Sequence, residues 1–280
     1  VSRRSLVLLV APSLALAPPA RAQPARVPDP PPLLGARDAA IAGGFAAAGA
    51  LAAPFDRAIA ERLQRREVQE SRALARTAVF FRRAAEPGVV ILLPALWAAG
   101  RLADDRTTAA VGLHGAEAVG AALVTVGAVK LIAGRARPSV PGRDPTSWRL
   151  ARGLRAGSEY QSFPSGHTTV AFAAASAVTS ELAARDGALR WRVGVPLYLG
   201  AAAAGWSRMH ENRHWATDVV GGAAIGTIAG VAVTRWHRTR PDNVLDRRLL
   251  GVGVTVSGGD ARLAIVPMRV VVRPRARAGG

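Results

Sequence analysis

The chain has 280 residues, enough for one large domain or two small ones, and half of them are hydrophobic, chiefly Ala, Val and Leu. It contains no cysteine, which excludes disulfides and thiolate chemistry. The formal charge is +18, but the basic residues are scattered arginines with no contiguous stripe interleaved with aromatics, so nucleic acid is not the expected partner.

From the N-terminus, a short basic patch, an apolar run and the small-x-small triplet Ala20-Arg21-Ala22 form the pattern of a secretory signal peptide over 1–22, with an uncleaved anchor as the alternative. The proline-rich stretch that follows resists helix and sheet alike, and 23–37 reads as a tether. Apolar, helix-compatible segments then recur at roughly 39–55, 87–100, 107–130, 168–183, 193–206 and 217–234. Between the first two, Ile59, Leu63, Val68, Leu74 and Val79 are spaced for an amphipathic helix at a surface or interface. Strand signals are missing before residue 250, so the expected class is all-α around one core. The tail changes character: β-rich runs in 249–272 flank a Ser-Gly-Gly-Asp turn and suggest a hairpin or extended appendage within 241–280.

Several segments are short for a bilayer span, and alanine-rich helices are only weakly hydrophobic. Yet AFAAASAVTS, VPLYLGAAAAGW and VVGGAAIGTIAGVAV carry no charge, which favours membrane integration over a soluble bundle. A cleaved signal followed by six crossings would put the region near Lys130 inside. An uncleaved N-terminus held inside would put it outside, and the arginine-rich connectors weigh on the orientation.

Three clusters carry chemistry. Lys130, the sole lysine, stands with Arg135 and Arg137 at the end of a long apolar helix, either as a positive flank or as an oxyanion clamp. Ser165-Gly166-His167 opens another apolar run. Ser165 is placed to cap it, Gly166 lets an anion approach the backbone, and the first helix amides welcome phosphate. In SRMHENRHWATD, His214 and Asp218 lie four apart on one helical face, as an ion pair or as an oriented nucleophile. The His210-Glu211 sequence lacks the spacing of a zinc helix, and the surrounding arginines would repel a cation, so no metal or cofactor is expected there. Arg135 is read as facing solvent or headgroups, His210 as structural and Trp215 as core.

Together the clusters resemble the signature of the type 2 phosphatidic acid phosphatase and vanadium haloperoxidase superfamily. The match runs through Lys130-(six residues)-Arg137-Pro138, Pro164-Ser165-Gly166-His167 and Ser207-Arg208-(five residues)-His214-(three residues)-Asp218, with type, order and internal spacing complete. The resemblance implies an all-α, membrane-embedded six-helix bundle over 38–240, with the C-terminal tail appended. It implies that His214 attacks phosphorus to form a phosphohistidine and that Asp218 supports its imidazole. His167 would protonate the leaving oxygen and then activate water. Lys130, Arg137, Arg208, Ser165 and Gly166 would hold the phosphoryl oxygens without a metal. The expected activity is phosphatase action on phosphomonoester or pyrophosphate groups of a lipid or isoprenoid, at the periplasmic face of a bacterial-type inner membrane. The alternatives are a soluble periplasmic broad-specificity acid phosphatase, a vanadium-dependent haloperoxidase and a phosphotransferase.

Overall fold

A computed structural model describes residues 32–142, 144–240, 243–251, 253–257 and 260–264. The signal-peptide reading of 1–22, most of the 23–37 tether and much of the tail lie outside them.

Among the described residues, twelve α-helices follow in chain order: α1 Ala36–Ala52, α2 Asp56–Leu63, α3 Arg66–Gln69, α4 Arg72–Arg83, α5 Val90–Leu102, α6 Arg106–Ala133, α7 Arg152–Arg155, α8 Gly166–Ala183, α9 Leu189–Arg192, α10 Gly194–His210, α11 Ala216–Thr239 and α12 Val244–Leu249. Each of the six apolar segments becomes a long helix, as the hydrophobic periodicity predicts. The amphipathic stretch differs from expectation. It breaks into α2, α3 and α4, because the chain leaves the helix at Gln64 and again before Ser71, whose hydroxyl accepts from the Leu74 N–H and restarts it. Between α4 and α5 the chain kinks at Glu86, whose backbone is extended (φ −145°, ψ 117°).

Helix α8 is the axis of the bundle. It packs on α6, α10 and α11, and Val170, Ala173 and Ala177 are wholly enclosed. Helix α11 approaches it along a stripe of small residues spaced by one turn. A Cβ at Gly222 would lie 2.5 Å from the Ser165 carbonyl oxygen, one at Gly226 2.4 Å from that of Thr169, and one at Gly230 2.7 Å from that of Ala173. Side chains there would force the backbones apart, so glycine sets the distance between these helices. The Ser165 N–H also donates to the Asp218 carbonyl (3.0 Å), fixing the two helix starts side by side.

Lys130, at the end of α6, thus meets the N-terminal ends of α8 and α11. Gly134, in the left-handed region (φ 56°), closes α6 and turns the chain into the loop that carries Arg135 and Arg137. Three stretches, Ala36–Leu63, Arg106–Ala133 and Ala216–Thr239, are long and apolar enough to cross a membrane. In the tail, Gly253–Ser257 pairs antiparallel with Asp260–Ala264, Ser257 opposite Asp260, in the register a two-residue hairpin loop gives.

Candidate active site

The first turns of α8 and α11, the end of α6 and the loop after it converge on two imidazoles. His214 precedes α11 and is 4% exposed. Its Nδ1 lies 2.7 Å from the Ser162 carbonyl oxygen. A carbonyl only accepts, so Nδ1 carries the proton and Nε2 presents a lone pair. That Nε2 lies 3.4 Å from Nη1 of Arg137. Burial, aided by Lys130 and Arg137 against the opposite pull of Asp218, lowers the His214 pKa to about 3, which keeps the ring neutral.

Asp218 stands 3.7 Å from His214 Nδ1, beyond hydrogen-bond reach. Its oxygens are already engaged by the Arg135 guanidinium, the Ser162 hydroxyl and the Trp215 N–H (2.8 Å). The sequence-based expectation gave the imidazole directly to Asp218. Here Ser162 stands between them, accepting from the ring with its carbonyl and donating to the carboxylate with its hydroxyl. Asp218 supports the ring through Ser162.

Arg135 also departs from expectation. It is 2% exposed, not solvent-facing. Its guanidinium joins Asp218 to Asp56 of α2 (2.7 Å), contacts the Thr217 hydroxyl (2.7 Å) and stacks over Trp148 with a 4.6 Å separation. Trp215 is core, 1% exposed, and its indole N–H donates to the Ala136 carbonyl (2.8 Å). His210 is buried as well, and its carbonyl accepts from Gln64 and Gln69, tying α10 to the α2–α3 turn.

The cations around the imidazoles come from four places. Lys130 Nζ donates to the Gln161 carbonyl (2.7 Å), and its stem borders Gly166, where a Cβ would sit 3.9 Å from Lys130 Cε. Arg137 is anchored on the carbonyls of Ser158 (2.8 Å) and Arg213 (2.9 Å). Burial, followed by the nearby Arg213 and Arg208, lowers its pKa to about 10, so it remains charged at neutral pH. Arg208, buried on α10, pairs with Glu211, which also accepts from Arg82 (3.0 Å). Its Nε has no hydrogen-bond partner among the described residues.

His167, on the first turn of α8, places Nδ1 3.2 Å from a carboxylate oxygen of Glu86 at the kink. Burial, then Arg208, Arg82, Lys130 and Arg137, push its pKa down to about 4. Ser165 is at the N-cap position, but its hydroxyl makes no cap bond. It accepts from the Thr168 hydroxyl (2.8 Å) and is wholly buried.

All eight residues singled out by the sequence therefore lie in this region. Asp56, Arg82, Glu86 and Ser162 join them unannounced, since none falls on a recognisable spacing and each reaches its partner across the fold. Glu211 joins them by linking Arg208, one turn away, to Arg82 on α4. A neutral imidazole whose Nε2 faces Arg137, beside buried guanidinium groups and the first amides of α8, can receive a tetrahedral oxyanion.

A helical bundle with helix ends gathered on two histidines and a ring of cations thus has an architecture suited to receiving an oxyanion. Residues 112–242 match the family model of the PAP2 superfamily, and the eight site residues from Lys130 to Asp218 all lie within that stretch. A curated relative, the Lipid A 1-phosphatase of Porphyromonas gingivalis, is 43% identical over 74 residues, which are 26% of this chain and 16% of that protein. The chain therefore matches well under two thirds of that relative's length. No solved structure matches the chain.

Proposed function

We propose that the protein is a phosphatase that removes a phosphate group from a phosphorylated lipid through a phosphohistidine on His214. The observation that carries this reading is the placement of His214: Nδ1 lies against the Ser162 carbonyl oxygen, which assigns the ring proton to it, and Nε2 faces Arg137. In the proposed reaction Nε2 attacks phosphorus, the N–P bond forms, and the bond from phosphorus to the ester oxygen breaks. His167 gives its proton to the departing oxygen, then takes one from the water that cleaves the N–P bond. Lys130, Arg137, the unpartnered Nε of Arg208 and the amide of Gly166 hold the developing charge, and Ser165 lines the same helix start. Those cations do the work for which other phosphoryl-transfer sites recruit magnesium.

Lipid is favoured over a soluble ester by the apolar exterior. Ile91 and Leu92 on α5, Val124 and Ile132 on α6 and Leu199 on α10 are exposed, and three stretches are long enough to span a bilayer. The lipid A 1-phosphatase activity named for the P. gingivalis relative points the same way. The periplasmic face is the side on which we place the site.

The test is phosphate release from a panel containing phosphatidic acid, isoprenyl diphosphate, lipid A and soluble p-nitrophenyl phosphate, without added divalent metal. Carbonate extraction of the membrane fraction accompanies it. Release from at least one lipid and retention in the pellet are expected. Release confined to the soluble ester, together with extraction into the wash, would favour the soluble acid phosphatase.

A pH-linked effect follows from the cations around His167. They disfavour its imidazolium, whereas a bound anion neutralises them and favours it, so the His167 pKa rises on binding from about 4. Between that value and the ordinary histidine range, binding of inorganic phosphate should take up protons. Calorimetry in two buffers of different ionisation enthalpy measures the uptake, which should vanish in His167→Ala. Proton release in place of uptake would contradict the assigned role.

A further inference from the structure

Four arginines that the site does not use gather at the other end of the bundle. Arg37 stands in the first turn of α1, Arg190 on α9, and Arg235 and Arg238 in the last two turns of α11. Arg238 is twenty residues beyond Asp218 along α11, about 30 Å at the helical rise, which matches the hydrocarbon thickness of a bilayer. All four border one cavity of about 330 Å³, walled by α1, α8 and α11.

Their charge is not balanced from within the cavity. Its lining holds one acid, Asp38, and Arg235 engages both oxygens of that carboxylate. The neighbouring salt bridges join Arg235 to Asp38 and Arg185 to Glu181. Among the described residues none includes Arg37, Arg190 or Arg238. Arg238 reaches only the Ser180 carbonyl, at 3.5 Å. Four guanidinium groups against one carboxylate leave three positive charges in excess. The wall is polar besides: Thr179 and Thr227 are buried, and their hydroxyls have no hydrogen-bond partner among the described residues.

An apolar strip begins where the charge ends. A second cavity of about 300 Å³ shares Thr179, Arg190 and Tyr198 with the first and is otherwise bordered by Trp191, Gly194, Val195 and Leu199. Trp191, Val195 and Leu199 are exposed. Val195 and Leu199 lie one turn apart on the same face of α10, so the strip runs from Arg190 toward the middle of the bundle. Tryptophan is the residue enriched where headgroups meet hydrocarbon.

We propose that these adjoining cavities bind one phospholipid with an anionic headgroup. Its phosphate sits among the arginines of α1, α9 and α11, and an acyl chain lies along Trp191, Val195 and Leu199. Basic pockets between membrane helices hold anionic headgroups in this way, and the planar guanidinium fork matches phosphate oxygens. A free phosphate would meet the charge and leave the apolar strip bare, which favours the lipid. The inference rests on membrane embedding and not on the chemistry at His214.

The test uses the full-length protein in a neutral detergent, titrated with phosphatidylglycerol or phosphatidylcholine brominated on the acyl chains. Bromine quenches tryptophan on contact, and subtracting the response of Trp191→Phe isolates Trp191. Phosphatidylglycerol is expected to quench it at concentrations at least ~10-fold lower than phosphatidylcholine. Arg37→Gln/Arg190→Gln/Arg238→Gln should weaken the phosphatidylglycerol response about 100-fold, roughly a factor of five for each cation. The three arginines are exposed, so this variant should fold. If it does not, the comparison of the two lipids on wild-type protein decides alone. Equal quenching by both lipids would overturn the proposal, as would an unchanged response in the folded triple variant. Displacement by inorganic phosphate at concentrations no higher than the lipid's would reveal an anion site without a tail and overturn it too. None of these readouts involves phosphate release, so the lipid site and the phosphatase reading stand or fall separately.

Discussion

Replacing His214 with alanine is expected to lower phosphate release by at least ~10³-fold on every accepted substrate, because the attacking atom is gone while the cation ring remains. The residual rate would come from binding and charge stabilisation alone. The covalent intermediate gives the sharper readout. Wild-type protein quenched during turnover of a ³²P-labelled ester should carry acid-labile, alkali-stable label, as a phosphoramidate does, and His214→Ala should carry none. His167→Ala should slow hydrolysis of the intermediate, although slower formation also limits how much label accumulates. Undiminished labelling of His214→Ala would remove the nucleophile from the scheme.

The second large effect is expected at Arg135, and it is an effect on stability. One guanidinium lies between two wholly buried carboxylates, Asp56 and Asp218, which are also served by Thr217, Ser162 and the Trp215 N–H. Removing the cation leaves both acids buried without their countercharge, which costs about 3–5 kcal/mol in comparable buried pairs. For a chain of this size that is a fall in Tm of roughly 6–20 °C. Arg135→Lys should recover little, since one ammonium cannot span both carboxylates with the geometry of a planar fork. Arg137→Ala, by contrast, should reduce turnover while leaving Tm close to wild type, because its side chain bonds carbonyl oxygens rather than a buried acid. A thermal melt of Arg135→Ala within about 1 °C of wild type would contradict the structural role.

The contrast between these two arginines marks how far the sequence could be read. Both stand in KLIAGRARP, two residues apart, yet one is sealed in the core and the other faces His214. The difference lies in partners 79 and 83 residues away on α2 and α11, and such pairings leave no periodic trace in the chain. The long helices were legible because runs of Ala, Val and Leu are interrupted by charge at their ends. The motif residues were legible because their spacing is local. Asp56, Glu86, Ser162 and Glu211 are single polar residues that become meaningful only when distant helices meet. The same holds for Arg37, Arg190 and Arg238, one on each of three helices. The subdivision of the amphipathic stretch was hidden for a different reason: the apolar positions keep a helical period across breaks that only the backbone reveals.

The glycine stripe on α11 also bears on how a substrate can reach the histidines. With Gly222, Gly226 and Gly230 laid against the α8 main chain, the first turns of these two helices move as one plank. Widening the gap between His167 and His214 there would pull apart two main chains in direct contact. The looser border is the unwound turn at Glu86, where α4 gives way to α5 and a half-exposed carboxylate touches His167. On the lipid-phosphatase reading, a doorway for a hydrocarbon tail belongs on that flank, beside Glu86.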